Sequence, residues 1–312
     1  MSTPCVIALD VGGTAMKGAL VDRRLRVLAE LRRPTPPRSQ GTAAIVDAIA
    51  AALADLASLA AQSGHDGEGL IVRGTGVVVP GIVDEPTGRA VYSENLGWRD
   101  LPLAEILTER TGTPIALGHD VRSGALAEMA RGAARGAKDM MFMPIGTGIS
   151  CAAICDGHLI SSGGYAGEIG HLTLEPGGDP CPCGANGCLE TVASAASIAS
   201  RFAARSGHPV SGAAEVVEWL DKGDPDARAV WDEAIAALAG ALSMAVTLFA
   251  PELIVIGGGL AESGDRLLIP LNEALLQRLT FQRRPRLVRA ALGDGAGCLG
   301  AGILAWSQSA TT

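Results

Sequence analysis

The amino-acid sequence predicts an α/β chain of two domains built on a duplicated plan, and three observations support this. At 312 residues and 48% hydrophobic content, the chain is large enough to bury more than one core. Apolar runs of strand length alternate with Ala/Leu-rich segments at helical spacing. A strand, a glycine turn and a second strand occur twice, once at the start and once near the middle.

Residues 5–9, CVIAL, form the first apolar run, which ends at Asp10; VGGTAMK follows, then GALVD over 18–22. This is strand, turn, strand. A Walker loop would need G-x-x-x-x-G-K-[ST] and a dinucleotide fingerprint G-x-G-x-x-G, each opening a helix, and neither pattern stands here. The hairpin tip instead collects Asp10, Gly12, Gly13, Thr14 and Lys17. Their carboxylate, backbone N–H, hydroxyl and ammonium groups can hold metal-bound phosphate, with a plain β-turn as the alternative.

After a Pro-rich loop, RRPTPPRSQG, residues 42–62 read as a helix with a Ser63-Gly64 stop signal. Residues 70–79 return to strand character and end at Pro80-Gly81, where Gly81 can bring backbone close to a ligand. The island SENLGWRDLPL, 93–103, joins Asn95 and Trp98 to a helix start at Leu103. Amide and indole suit the hydroxyls and apolar face of a sugar; a surface turn suits them equally. PIALG, 114–118, is a strand, and His119-Asp120 leads from it into the helical run VRSGALAEMARGA. A carboxylate at such a junction is well placed for chemistry and equally well placed as an N-cap.

Residues 140–160 repeat the opening theme, with a Gly146-Thr147-Gly148 turn and an Asp156-Gly157 hairpin. Helical character follows over 190–205, 212–222 and about 226–249. The buried strand within 252–265 ends on Gly257, Gly258 and Gly259, where adenine or ribose can lie against backbone; close helix and strand packing is the plainer account. A strand near 286–291 and a Gly-rich helix from about 295 to 307 close the chain.

Between these stretches lies Gly167 to Glu190, GEIGHLTLEPGGDPCPCGANGCLE. A loop so rich in Gly and Pro cannot hold its shape by apolar burial, and His171, Cys181, Cys183 and Cys188 offer four soft donors for a tetrahedral Zn²⁺. Buried thiols or a disulfide are the alternatives. The polarity of CPCGANGC argues against the first. The odd count of 7 Cys and the lack of an apolar leader run argue against the second and point to a reducing cytoplasm. Cys5, Cys151, Cys155 and Cys298 read as small core residues. A net charge of -8 disfavours nucleic acid and anionic membrane as partners, and no uninterrupted apolar segment of membrane-spanning length is expected.

With these residues in view, the chain resembles the ROK family of repressors and sugar kinases. ALDVGGTAMKGALVD is similar to its first phosphate motif, MPIGTGIS to its second, IVIGGGL to its adenosine motif, and AGEIGH with CPCGANGCLE to its substrate and zinc signature. The resemblance implies the actin/hexokinase-like fold, a duplicated ribonuclease H-like architecture with an interdomain cleft. It also implies domains at 1–118 plus 298–312 and at 119–297, and a homodimer or homotetramer. Asp120 would be the catalytic base. Asn95, Glu168, His171 and Glu190 would contact sugar hydroxyls, with backbone near Gly81 close by. The hairpin residues named above, with Gly146, Thr147 and Gly148, would hold ATP phosphates and Mg²⁺, and Gly257 to Gly259 the nucleoside.

Many glucokinases of the family place Asn where this chain has His119, so the hydroxyl pattern read there differs and N-acetylglucosamine rivals glucose. N-acetylmannosamine is a further alternative acceptor, and polyphosphate a rival donor that the triple glycine argues against. Repressors of the family carry a DNA-binding segment ahead of the first phosphate motif, which here begins within ten residues of Met1. The expectation is therefore a kinase, with a non-catalytic sugar-responsive regulator as the alternative.

Overall fold

The computed structural model describes residues 3–63 and 69–309, so Gly64 of the expected stop signal lies outside the described residues. The chain opens with β1 (Thr3–Val11), β2 (Ala15–Asp22) and β3 (Val27–Pro34), followed by α1 (Thr42–Gln62) and β4 (Leu70–Val79). Three short strands come next, β5 (Ile82–Asp84), β6 (Arg89–Ser93) and β7 (Trp98–Leu101), then α2 (Leu103–Thr111), β8 (Ile115–His119) and α3 (Asp120–Arg131). The second half holds β9 (Met140–Pro144), β10 (Ala152–Cys155) and β11 (His158–Leu159), then α4 (Leu189–Ala193), α5 (Ala195–Ser206), α6 (Ala213–Asp221) and α7 (Pro225–Phe249). It continues through β12 (Leu253–Gly257), α8 (Asp265–Arg278) and β13 (Arg286–Arg289) to α9 (Ala296–Ser309).

The chain forms two compact units. The first comprises Met1–Arg131, Ser161–Ala166 and Asp294–Thr312; the second comprises Gly132–Ile160 and Gly167–Gly293. The sequence suggests divisions at 118/119 and 297/298, whereas the units divide at 131/132, 160/161, 166/167 and 293/294. The reason is that α3 packs along α9, and α9 in turn covers β1 and β4.

Each unit carries a five-stranded sheet, ordered β3-β2-β1-β4-β8 in the first and β11-β10-β9-β12-β13 in the second. In both, an antiparallel hairpin leads into two parallel strands, so the predicted duplication is present strand for strand. β4 shows how the first sheet is covered on both faces, because successive side chains point to opposite sides. Val77 and Val79 join the core with Ile45, Ile49 and Leu56 of α1, while Val78 packs with Ala301 and Ala305 of α9. In the second unit Trp231, Leu238 and Leu242 of α7 pack with Phe202 and with Ile254 and Ile256 of β12.

α1 and α7 are each long and apolar enough to cross a membrane by length and composition, although neither is an uninterrupted apolar segment. Both are rich in Ala and interrupted by charges such as Asp47 and Asp55 or Arg228 and Asp232. Each lays its apolar stripe into the core of its own unit, which accounts for its composition.

Candidate active site

In the first unit the hairpin between β1 and β2 is pinned from outside. Gly12 donates its N–H to Ala15 O at 3.0 Å, Thr35 donates its hydroxyl to Gly12 O at 2.6 Å, and the Thr35 N–H reaches Thr14 O at 3.0 Å. Gly13 and Thr14 are exposed at the tip. Lys17, opposite Asp10 in the β1–β2 register, donates to Asp294 O at 3.0 Å and pairs with Asp294 Oδ2 at 3.1 Å. Asp10 lies against the first turn of α9, where its carboxylate occupies the space a side chain at Gly297 would need.

Asp10 keeps part of its surface open, but its surroundings strip most of its hydration. Desolvation first and the nearby Asp120 charge second push its carboxyl up to about 7, with Lys17 opposing and Asp294 adding to the rise. The fold therefore brings Asp10 and Asp120 within electrostatic reach of each other.

A raised carboxyl pKa means that the native chain holds a proton that the unfolded chain has already lost, between about pH 4 and 7. Stability then falls as pH rises through that window and levels off above it. Asp10→Asn should flatten this dependence and melt above the parent at pH 8. The full slope for one proton is about 1.4 kcal/mol per pH unit. Melting curves of zinc-loaded, magnesium-free protein from pH 4 to 8 check this; parallel profiles for parent and variant would remove Asp10 as the source.

Asp120 opens α3 immediately after β8, with 28% of its side chain exposed, and its Oδ1 accepts the Val121 N–H at 2.7 Å. That contact reaches only the next residue, whereas a cap bond reaches two or three residues on; the bond of that kind is donated by the Arg122 N–H to His119 instead. His119 is buried, and burial lowers its pKa, keeping the imidazole neutral. Its Nδ1 accepts the Arg122 N–H at 3.3 Å and stands farther, 3.5 Å, from Asp120 Oδ1, which assigns the proton to Nε2.

Gly81 has φ +98, and the backbone of Tyr92 and Ser93 fills the place of its missing side chain, so the approach of β6 explains this glycine. Asn95 is exposed, and its Cβ lies 3.6 Å from where a side chain at Gly13 would begin, beside the hairpin tip. Trp98 corrects one expectation. At 2% exposure its indole belongs to the core of the unit and offers no face to a sugar.

In the second unit Gly146 donates to Gly148 O at 2.9 Å, closing a tight turn between Ile145 and Ile149. Glu190, on α4, accepts the Ile149 N–H on Oε2 at 2.8 Å, and its carboxylate fills the space beside Gly148. Gly257 packs on the Phe142 ring and Gly258 on the Ile145 backbone, while Gly259 faces open space. Close packing thus accounts for two of the three glycines, and it joins this motif to the 146–148 turn through Ile145 N–H to Gly257 O at 2.9 Å. Beside Thr147 opens a hollow of about 430 Å³, bounded by Ala195, Ala199 and Ala203 of α5 and by residues 210–213. Sequence reading missed this hollow, because small alanines on a helix carry no binding signature.

The four soft donors converge. His171 Nδ1 lies 3.6 Å from Cys181 Sγ, Cys183 Sγ lies 3.7 Å from Cys188 Sγ, and all four ligand atoms fall within 4.8 Å of one another. Zn–S bonds of about 2.3 Å in a tetrahedron place sulfurs about 3.8 Å apart, so the donor set fits zinc. The other ring nitrogen, Nε2, lies 3.9 Å from Glu168 Oε2. One imidazole therefore faces the thiols on one side and a carboxylate on the other.

Comparison with known proteins agrees with this architecture. The ROK family pattern matches residues 6–308. A glucokinase of Halalkalibacterium halodurans is 36% identical, over 99% of this chain and 97% of its own. The crystal structure of a ROK hexokinase from Thermus thermophilus superposes with a TM-score of 0.80 at 31% identity, covering 99% and 100% of the two chains. That of a ROK family glucokinase from Streptomyces griseus, in complex with glucose and AMPPNP, gives 0.81 at 29% identity over 97% and 99%. The chain belongs to the ROK family, and its fold is the two-domain α/β fold of the sugar kinases in it.

Proposed function

We propose that this ROK-family sugar kinase transfers the γ-phosphoryl group of ATP to a hexose, glucose or N-acetylglucosamine, at the C6 hydroxyl. The observation that supports it most is the partly open Asp120 carboxylate at the start of α3, within electrostatic reach of Asp10 at the glycine hairpin. In this reading Asp120 accepts the hydroxyl proton as the oxygen attacks phosphorus. The amides of Gly12, Gly13, Gly146 and Gly148, with Thr14, Thr147 and Lys17, hold the phosphates in line. Mg²⁺, when bound beside Asp10, would offset phosphate charge. The hollow beside Thr147 takes the nucleoside, whose adenine or ribose lies against the open backbone at Gly259.

Asn95, Glu168, His171 and Glu190 read the sugar hydroxyls, and backbone near Gly81 borders them. The zinc set orients His171 and leaves Nε2 on the Glu168 side, where a hydroxyl can bridge the two. His119, with its proton on Nε2, can only donate to a substrate, whereas Asn donates and accepts. An acceptor such as an acetamide carbonyl suits it, which keeps N-acetylglucosamine beside glucose as a candidate. A coupled ADP-release assay over glucose, mannose, N-acetylglucosamine and N-acetylmannosamine, with ATP and polyphosphate as donors, tests the proposal. Turnover confined to a hexose with ATP is the expected result, and no turnover with any sugar would leave a sensor instead of a kinase.

A further inference from the structure

We propose that Arg122 and Glu85 form a positioning clamp, tying the β8–α3 junction that bears His119 and Asp120 to the six-residue strap Ser161–Ala166. Arg122 is the third residue of α3 and only 1% exposed. Its Nε donates to Glu85 Oε1 at 3.0 Å, one terminal nitrogen to Gly164 O at 3.2 Å and the other to Val83 O at 3.0 Å. The same Glu85 oxygen accepts the His119 N–H at 3.3 Å, and the Arg122 N–H occupies His119 Nδ1. One guanidinium thus joins three segments far apart in sequence, at 83–85, 119–122 and 164.

The strap is shaped to receive it. Gly164, at φ +94, lies so close to the Val83 backbone that no side chain fits. The N–H groups of Gly164, Tyr165 and Ala166 turn inward to Ser161 and Ser162 carbonyls, which leaves the Gly164 carbonyl to Arg122. The chain passes directly from the strap into Gly167 and Glu168.

A buried ion pair is a poor device for stability alone, since an apolar cluster of equal volume does as well or better. The planar fork of arginine does what an apolar cluster cannot, because it sets the angles between three acceptors at once. Two consequences follow at the site. The His119 tautomer is fixed as an Nε2 donor, and the first turn of α3 cannot rotate about Asp120 without breaking a buried charge-assisted bond.

The catalytic part of this inference rests on the reading of Asp120 as base and Glu168 as a sugar contact; the clamp itself does not. The test uses the full chain carrying Arg122→Met, Arg122→Lys, Glu85→Ala or Glu85→Gln, with hydrogen exchange and steady-state kinetics as readouts. In Arg122→Met, exchange at Gly164, Tyr165 and Ala166 should accelerate about tenfold or more while the α1 and α7 amides stay protected. The sugar KM should rise and kcat fall, each by about tenfold or more, with the ATP KM unchanged, as expected when reacting groups lose alignment. Glu85→Gln, which keeps an acceptor oxygen, should lose less than Glu85→Ala.

Unchanged strap exchange would overturn the clamp. A kcat and a sugar KM that both match the parent once normalised to the folded fraction would overturn the positioning role. Arg122→Lys, which keeps the charge and a single donor group, answers the same questions if the Met variant does not fold. If Asp120→Asn retains turnover while Arg122→Met frees the strap, the base assignment fails and the clamp stands.

Discussion

Asp120→Asn should lower kcat by about 10²- to 10⁴-fold, the usual contribution of a positioned general base, while leaving sugar binding near that of the parent. Asparagine keeps the Oδ1 that accepts the Val121 N–H, so the first turn of α3 is preserved and the loss falls on proton acceptance. A second effect identifies the residue independently. Because the Asp120 charge contributes to the raised Asp10 carboxyl, the substitution should move the Asp10 titration down toward the ordinary carboxylate range. Single-turnover kinetics with equilibrium sugar binding separate the two steps. Turnover retained with intact folding would take the base assignment away from Asp120.

Loss of the metal should cost sugar binding and stability together. Cys188→Ser, or prolonged chelation, should release one zinc per chain, destabilise the protein by about 3 kcal/mol or more, and lower its Tm by on the order of 5–10 °C. Burial pushes the Cys188 thiol up to about 12, so a vacated site would hold a neutral thiol instead of a thiolate. Without the metal, the 171–188 loop keeps Leu174 against the core and its backbone hydrogen bonds, but His171 would lose its orientation toward Glu168. Metal content by atomic absorption, with melting curves and sugar titrations, checks the expectation. A zinc-free chain that binds sugar and melts like the parent would show that the loop needs no ion.

Much of the fold could be read from residue order because the signals were local. α1 runs from Thr42 to Gln62, as its apolar spacing predicts, and both hairpins stand where glycine turns interrupt apolar runs. β3 was missed. It is an edge strand with mostly exposed side chains, held by backbone pairing to β2, so no apolar alternation marks it. The small sheet β5-β6-β7 was missed because strands of three to five residues are too short to show a period. Trp98 was misjudged because an aromatic in a polar island looks like a ligand face until the core beside it is known.

Residue type and spacing alone determined the two glycine hairpins and the four-donor loop, and four short motifs carried the resemblance to the family, since each is written in a few adjacent residues. Tertiary structure decided what depends on distant segments meeting. It placed Asp10 near Asp120, gave His119 its tautomer, tied the Glu190 carboxylate to the 146–148 turn, and set Arg122 against Glu85, Val83 and Gly164. A carboxylate or a guanidinium has the same letter in the sequence whether it faces water or a buried partner, and only the packing around it sets its proton affinity and its reach.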